Sequence, residues 1–188
     1  MLKIATLTTL LLLSALSFNG CSKEKKQETQ DANSILATHE FVLTDLNNNK
    51  YTVTKKNGGF TIDKFKNKII MFDIFATWCP PCRAEVSHLS SLQKKFKNDL
   101  IVIGVTVENG VENAKLQKFK QQYNANYILV NSSQNRRFIS ELAVNLHVGR
   151  DFGIPLMAMY KDGKLIRFYQ GATEEEFMQS DIEQALGK

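Results

Sequence analysis

Apolar residues recur along this chain in two rhythms: short continuous or alternating runs, and stripes at helical spacing. Phe41-Val42-Leu43 and Tyr51-Thr52-Val53 flank the polar stretch Asn47-Asn48-Asn49-Lys50. Asparagine tolerates a left-handed backbone, so this segment predicts a β-hairpin. Phe60, Ile62 and Phe65 predict a short irregular or helical connection. The run from Lys68 to Phe75 reads as a buried strand, and a helix from Pro80 carries Val86, Leu89, Leu92 and Phe96 on one face. Leu100 to Val107 is a continuous β-branched run, the pattern of a strand buried on both faces. Glu112 to Tyr123 predicts an amphipathic helix, Tyr127 to Val130 a short strand, and Gln134 to His147 a further helix. Pro155 to Tyr160 and Leu165 to Tyr169 predict two strands joined by a turn with an Asp162-Gly163 signature. Thr173-Glu174-Glu175-Glu176 has the form of a capping box opening a last helix. That helix would bury Met178, Ile182 and Ala185, with Phe177 and Leu186 beside them. Strands alternating with helices and ending in a hairpin and a helix predict an α/β sandwich around a mixed sheet.

The pattern changes at the N-terminus. Lys3 precedes an apolar run from Ile4 to Leu16, followed by small and polar residues and then Gly20-Cys21. Residues 1–20 therefore read as an export signal, the apolar run being short for a membrane span. Leu16-Ser17-Phe18-Asn19-Gly20-Cys21 resembles a bacterial lipoprotein processing site, although Phe18 and Asn19 depart from the usual residues. The resemblance implies that Cys21 carries lipid. Residues 21–37 are rich in Lys, Glu and Gln and read as a flexible tether. Residues 38–188 are expected to form the folded domain.

Composition narrows the function classes. The net charge of +5 is mild, and no Lys/Arg block is interleaved with aromatics as nucleic-acid binding would require. Three cysteines, Cys21, Cys79 and Cys82, are too few for a disulfide scaffold. The only histidines, His39, His88 and His147, lack the paired spacing of a zinc site and read as surface residues. A two-thiolate site for a soft ion such as Cu(I) stays open; Met157 and Met159 lie near the other end of the site in sequence, although alternate strand residues of this kind are more often core.

Candidate chemistry concentrates at Trp78-Cys79-Pro80-Pro81-Cys82, a dithiol between a strand and a helix. With Cys79 as N-cap, Pro80 and Pro81 fall where a helix has unused N–H groups, and the Cys82 N–H is left to face the Cys79 sulfur. Helix-end charge then favours a Cys79 thiolate, making it the nucleophile. Cys82, one turn in, is expected to be less exposed and to resolve. Asp73 in an apolar strand should have a raised pKa and serve as a proton acceptor for Cys82. Glu85 lies on the next helical turn, where a carboxylate opposes the thiolate and favours the disulfide.

The stretch from Phe75 to Glu85 resembles the active site of the thioredoxin superfamily, in its exported TlpA/ResA-like branch. The resemblance covers essentially Phe41 to Leu186. It implies a thioredoxin-like α/β fold with an N-terminal β-hairpin extension and an inserted helix-strand unit between Cys82 and Pro155. Peroxiredoxins share that insertion, but their Thr-x-x-Cys is missing, since Thr77 stands only two residues before Cys79. Gly153-Ile154-Pro155 resembles the family's cis-proline loop. The implied site has Cys79, Cys82, Asp73 and Glu85 as catalytic residues and Trp78, Ile154 and Pro155 in contact with substrate. Many members of this branch carry a neutral residue where Asp73 stands, so this chain holds both acids. The implied activity is thiol–disulfide exchange; two rivals stand beside it, a copper chaperone using the same sulfurs and a net disulfide oxidant. No cofactor beyond the dithiol and no metal is expected. The expected setting is lipid-anchored on the periplasmic side of a bacterial membrane. Expected partners are disulfide-containing exported proteins, apocytochrome c among them, and a membrane thiol-transfer reductant.

Overall fold

A computed structural model describes residues 39–188. The signal, the tether, Thr38 and the lipidation site at Cys21 lie outside the described residues. The apolar run after Lys68 forms the strand on which the rest is stacked, β4 (Ile69–Phe75), buried along its whole length. It pairs in parallel with β5 (Leu100–Thr106), which pairs in parallel with β6 (Ile128–Val130). On its other side β4 runs antiparallel to β7 (Leu156–Lys161), and β7 to β8 (Lys164–Gln170), giving the order β6-β5-β4-β7-β8. Buried central strands need cover on both faces.

Helices α1 (Pro80–Lys95), α2 (Asn113–Gln122) and α4 (Glu175–Leu186) cover one face. Their Val86, Leu89, Leu116, Phe119, Met178 and Ile182 pack with Ile69, Met71 and Phe75 of β4. The opposite face, bearing Ile70, Phe72 and Ile74, is covered by α3 (Asn135–Asn145) and by a small second sheet. That sheet is the antiparallel meander β1 (Glu40–Thr44), β2 (Lys50–Lys56) and β3 (Gly59–Ile62). Phe138 of α3 joins the layers through ring contacts with Phe41, Phe60 and Phe72, at centroid separations of 5.5, 5.3 and 4.7 Å.

The predicted hairpin is present, and Asp45 shapes its turn. The Asp45 Oδ1 accepts from the Asn47 and Asn49 N–H groups, both at 2.8 Å, while Asn48 takes the left-handed conformation at φ 64°. Three expectations differ from the structure. Phe60 and Ile62 lie in a true third strand, because Gly59–Ile62 pairs with β2, and only Asp63–Phe65 forms a short helical turn. The extension is thus a three-stranded meander rather than a hairpin alone. The capping box at Thr173 does not form: Glu174 is the N-cap without a side-chain bond, and the Thr173 N–H is used elsewhere. Phe177 is 65% exposed, since the buried stripe of α4 runs through Met178 and Ile182.

Candidate active site

Two prolines at the first two positions of α1 leave its start with few free N–H groups, and the structure directs one of the rest at sulfur. Cys79 is the N-cap in extended conformation, and the Cys82 N–H donates to the Cys79 Sγ at 3.2 Å. Cys79 and Cys82 are joined as a disulfide with Cα atoms 5.3 Å apart. The helix N-terminus and this N–H stabilise negative charge on the Cys79 sulfur once the bond is reduced.

The expected order of exposure is not seen in this oxidised form: Cys79 and Cys82 are each 3% exposed. The reason is the loop preceding β7, which lies over the outer sulfur. The Ile154 carbonyl oxygen is 3.7 Å from the Cys79 Sγ, and the Ile154–Pro155 peptide is cis. Pro155 is buried and Ile154 half-buried. Trp78, by contrast, is 59% exposed beside the disulfide.

Strand alternation places Asp73 on the same face of β4 as Met71 and Phe75, the face covered by the dithiol helix. Asp73 is fully enclosed, between Gly104 of β5 and Met157 of β7 in register. Burial pushes its carboxyl up to about 8, and the Glu85 carboxylate adds to the effect. Glu85, one turn past Cys82 on α1, is only 1% exposed. Its Oε2 accepts from the Thr173 N–H at 2.9 Å. The His88 Nδ1 lies 3.5 Å from Glu85 Oε1 but makes its hydrogen bond with the Thr173 carbonyl at 3.0 Å. Burial raises the Glu85 pKa, and the Thr173 and His88 contacts moderate that rise. The Asp73 carboxyl, pushed up to about 8, is suited to exchanging a proton with a thiol.

The sequence places Tyr127 only at the start of a strand. It is buried, and its phenol is raised well above the ordinary range by burial, with Asp73 and Glu85 adding to the rise. Asp73 Oδ1, Glu85 Oε1 and Tyr127 OH are the buried side-chain oxygens without a hydrogen-bond partner among the described residues. Gly104 gives the tyrosine room: a Cβ there would come within 3.2 Å of Tyr127 Cε2 and 2.7 Å of Leu129 Cδ2. A lone glycine in a β-branched run signals such close approach.

A second set of residues fixes the lead-in to the cysteines. The Thr77 N–H donates to Glu108 Oε2 at 2.7 Å, and its hydroxyl to Glu108 Oε1 at 3.1 Å. The Arg83 Nε donates to the Thr77 carbonyl at 2.7 Å. Burial pulls the Glu108 carboxyl upward, but the Lys115 and Thr77 donors outweigh it and hold it below its ordinary value. Neither Glu108 nor Arg83 stands out in sequence, because each acts through Thr77 rather than on a cysteine. Met157 and Met159 are wholly buried in the core, which removes them as exposed soft ligands. His39 and His147 are exposed, and His88 is half-buried against Thr173. Among the described residues no group of three or more His, Cys, Asp or Glu is arranged to hold a metal ion.

Comparison with known proteins accords with this geometry. The Redoxin family pattern matches residues 30–186. The thiol-disulfide oxidoreductase ResA of Geobacillus thermodenitrificans is 23% identical over 186 residues, covering 97% of this chain and 94% of that protein. ResA of Bacillus cereus is 25% identical over 158 residues, covering 82% and 77%. The crystal structure of StoA from Bacillus subtilis shares the fold, with a TM-score of 0.54 at 16% identity over 76% of this chain and 95% of that one. With a disulfide at a helix N-terminus and a family match across the whole folded region, the chain belongs to the Redoxin family, as a TlpA/ResA-like thiol–disulfide oxidoreductase of the thioredoxin superfamily.

Proposed function

We propose that the protein is a reductant of disulfides in exported proteins, held by lipid at Cys21 on the periplasmic side of a bacterial membrane. The observation that carries the direction of the reaction is Glu85, buried to 1% exposure one turn beyond Cys82 on the dithiol helix. Negative charge there disfavours a cysteine thiolate, and whatever destabilises the reduced, ionised pair favours electron donation. Residues 21–37 would act as the tether and the folded domain would carry the chemistry.

In the reaction the Cys79 thiolate attacks one sulfur of a substrate disulfide. The Cys79–substrate disulfide forms and the substrate's second sulfur leaves as a thiolate. Cys82 gives up its proton, for which ionised Asp73 is the acceptor, and attacks the Cys79 sulfur. The first substrate sulfur leaves, and the Cys79–Cys82 disulfide closes. Two electrons pass from the protein to the substrate, which ends as two thiols. The oxidised protein is returned to its dithiol by a membrane thiol-transfer partner. No cofactor is required. The resemblance to ResA supports apocytochrome c as one substrate.

Three outcomes are expected. Glu85→Gln should lower the Cys79 thiolate midpoint by about one pH unit, read by thiolate absorbance; an unchanged or higher midpoint removes Glu85 from the mechanism. Asp73 binds its proton more tightly in the fold, at about 8 against an ordinary 3.8, so the proton stabilises the folded state. That stabilisation is complete below the ordinary value and is lost as pH rises through the folded one. Denaturant unfolding of the oxidised protein should therefore show about 2–4 kcal/mol more loss between pH 5 and pH 9 in the wild type than in Asp73→Asn. Equal losses would mean that Asp73 is not protonated in the fold. Finally, Cys82→Ala cannot resolve its mixed disulfides and should capture exported, cysteine-bearing proteins identifiable by mass spectrometry. Capture confined to cytosolic proteins would overturn the proposal.

A further inference from the structure

Beside the disulfide runs a groove of about 640 Å³ that the exchange chemistry itself does not use. It begins at Trp78 and Ile154, whose carbonyl faces the Cys79 sulfur, and continues between α3 and the loop that follows it. Phe152 and Val144 lie along it. Trp78 at 59% and Val144 at 64% exposure are two of the few large apolar side chains left open to water among the described residues. Both line this one groove.

The polar lining has a single sign. Arg136 and Arg150 are both exposed and both line the groove, whereas no Asp or Glu does. Neither arginine takes part in an ion pair among the described residues; the nearest acid on α3, Glu141, is bound to Lys55 instead. Arg136 also sits in the first turn of α3, a turn with no acidic residue. A cation there opposes the positive end of the helix dipole and so weakens the helix slightly. The placement adds no ion pair to the fold among the described residues, which directs attention to what the groove receives.

We infer that this groove binds the segment of a partner polypeptide that flanks its disulfide, and that it selects segments carrying an apolar side chain and one or more carboxylates. The inference rests on the reductase reading, because the groove opens at the reactive sulfur. The apolar side chain is buried between Trp78, Phe152 and Val144, and the carboxylates meet Arg136 and Arg150. Arginine is suited to this role through its paired, planar donors.

The test separates binding from chemistry. Two ten-residue peptides are compared, each with one leucine and with serine in place of cysteine, one bearing two Glu and the other two Lys. In calorimetric titration of the oxidised wild-type protein, the Glu peptide should bind about three- to tenfold more tightly. The difference should shrink as salt screens it. In the Arg136→Glu/Arg150→Glu double variant the order should reverse. Equal affinities in the wild type, tighter binding of the Lys peptide, no binding of the Glu peptide at millimolar concentration, or an order unchanged in the double variant would each overturn the inference. In parallel, reduced wild-type protein is mixed with hydroxyethyl disulfide, a small uncharged substrate. Failure to reduce it would sink the reductase reading, while the groove would still stand or fall on the peptide affinities.

Discussion

Removing a carboxylate from water costs several kcal/mol unless the charge is paired or the proton is kept. Here Asp73 and Glu85 are both buried on the face of the sheet that carries the dithiol helix, near enough for the Glu85 charge to raise the Asp73 carboxyl further. The response at Asp73 is to hold its proton, its carboxyl being pushed up to about 8, and that proton is what the cysteine pair can exchange. The oxidised pair is in turn fixed from three sides. The helix N-terminus faces the Cys79 sulfur, the Ile154 carbonyl covers it, and the Thr77 backbone is held at both ends by Glu108 and Arg83. Exchange chemistry needs a sulfur that moves little, because attack is productive only along the line of the breaking bond.

The same acid ties the site to the end of the chain. Glu85 on α1 accepts the Thr173 N–H just before α4, His88 bonds the Thr173 carbonyl, and Ser91 bonds Glu175. The helix that carries the cysteines and the last helix are thus docked by polar contacts above an apolar base of Val86, Leu89, Met178 and Ile182. On the opposite face, the β1–β3 meander and α3 share an aromatic cluster built on Phe138. Adding this layer closes the back of the sheet and places α3 beside the reactive edge, where its outer face forms one wall of the groove.

Most of the architecture was legible because it rests on local pattern. The continuous run Ile69–Phe75, the helix after Pro80, the Asp162-Gly163 turn and the Cys-Pro-Pro-Cys motif each announce themselves within a few residues. What was missed depends on contacts distant in sequence. Gly59–Ile62 is a strand because β2 lies beside it, and its own four residues carry too little pattern to say so. The capping box at Thr173 fails because Glu85, far away in the chain, takes the backbone N–H that Glu176 would have bound. The relative exposure of Cys79 and Cys82 is set by the Ile154 loop, which returns from the other end of the domain. Tyr127 reaches the acids only through the space left at Gly104, and that glycine was the one sequence signal available for it.

The central claim is that the buried acids bias this dithiol toward donating electrons. Its most direct test is the reduction potential of the Cys79–Cys82 pair, measured by equilibrating the folded domain in dithiothreitol or glutathione buffers and counting alkylated thiols by mass. The account predicts a value more negative than about −220 mV, on the reducing side with thioredoxin-type donors. A value near about −120 mV, where strong disulfide oxidants lie, would contradict it.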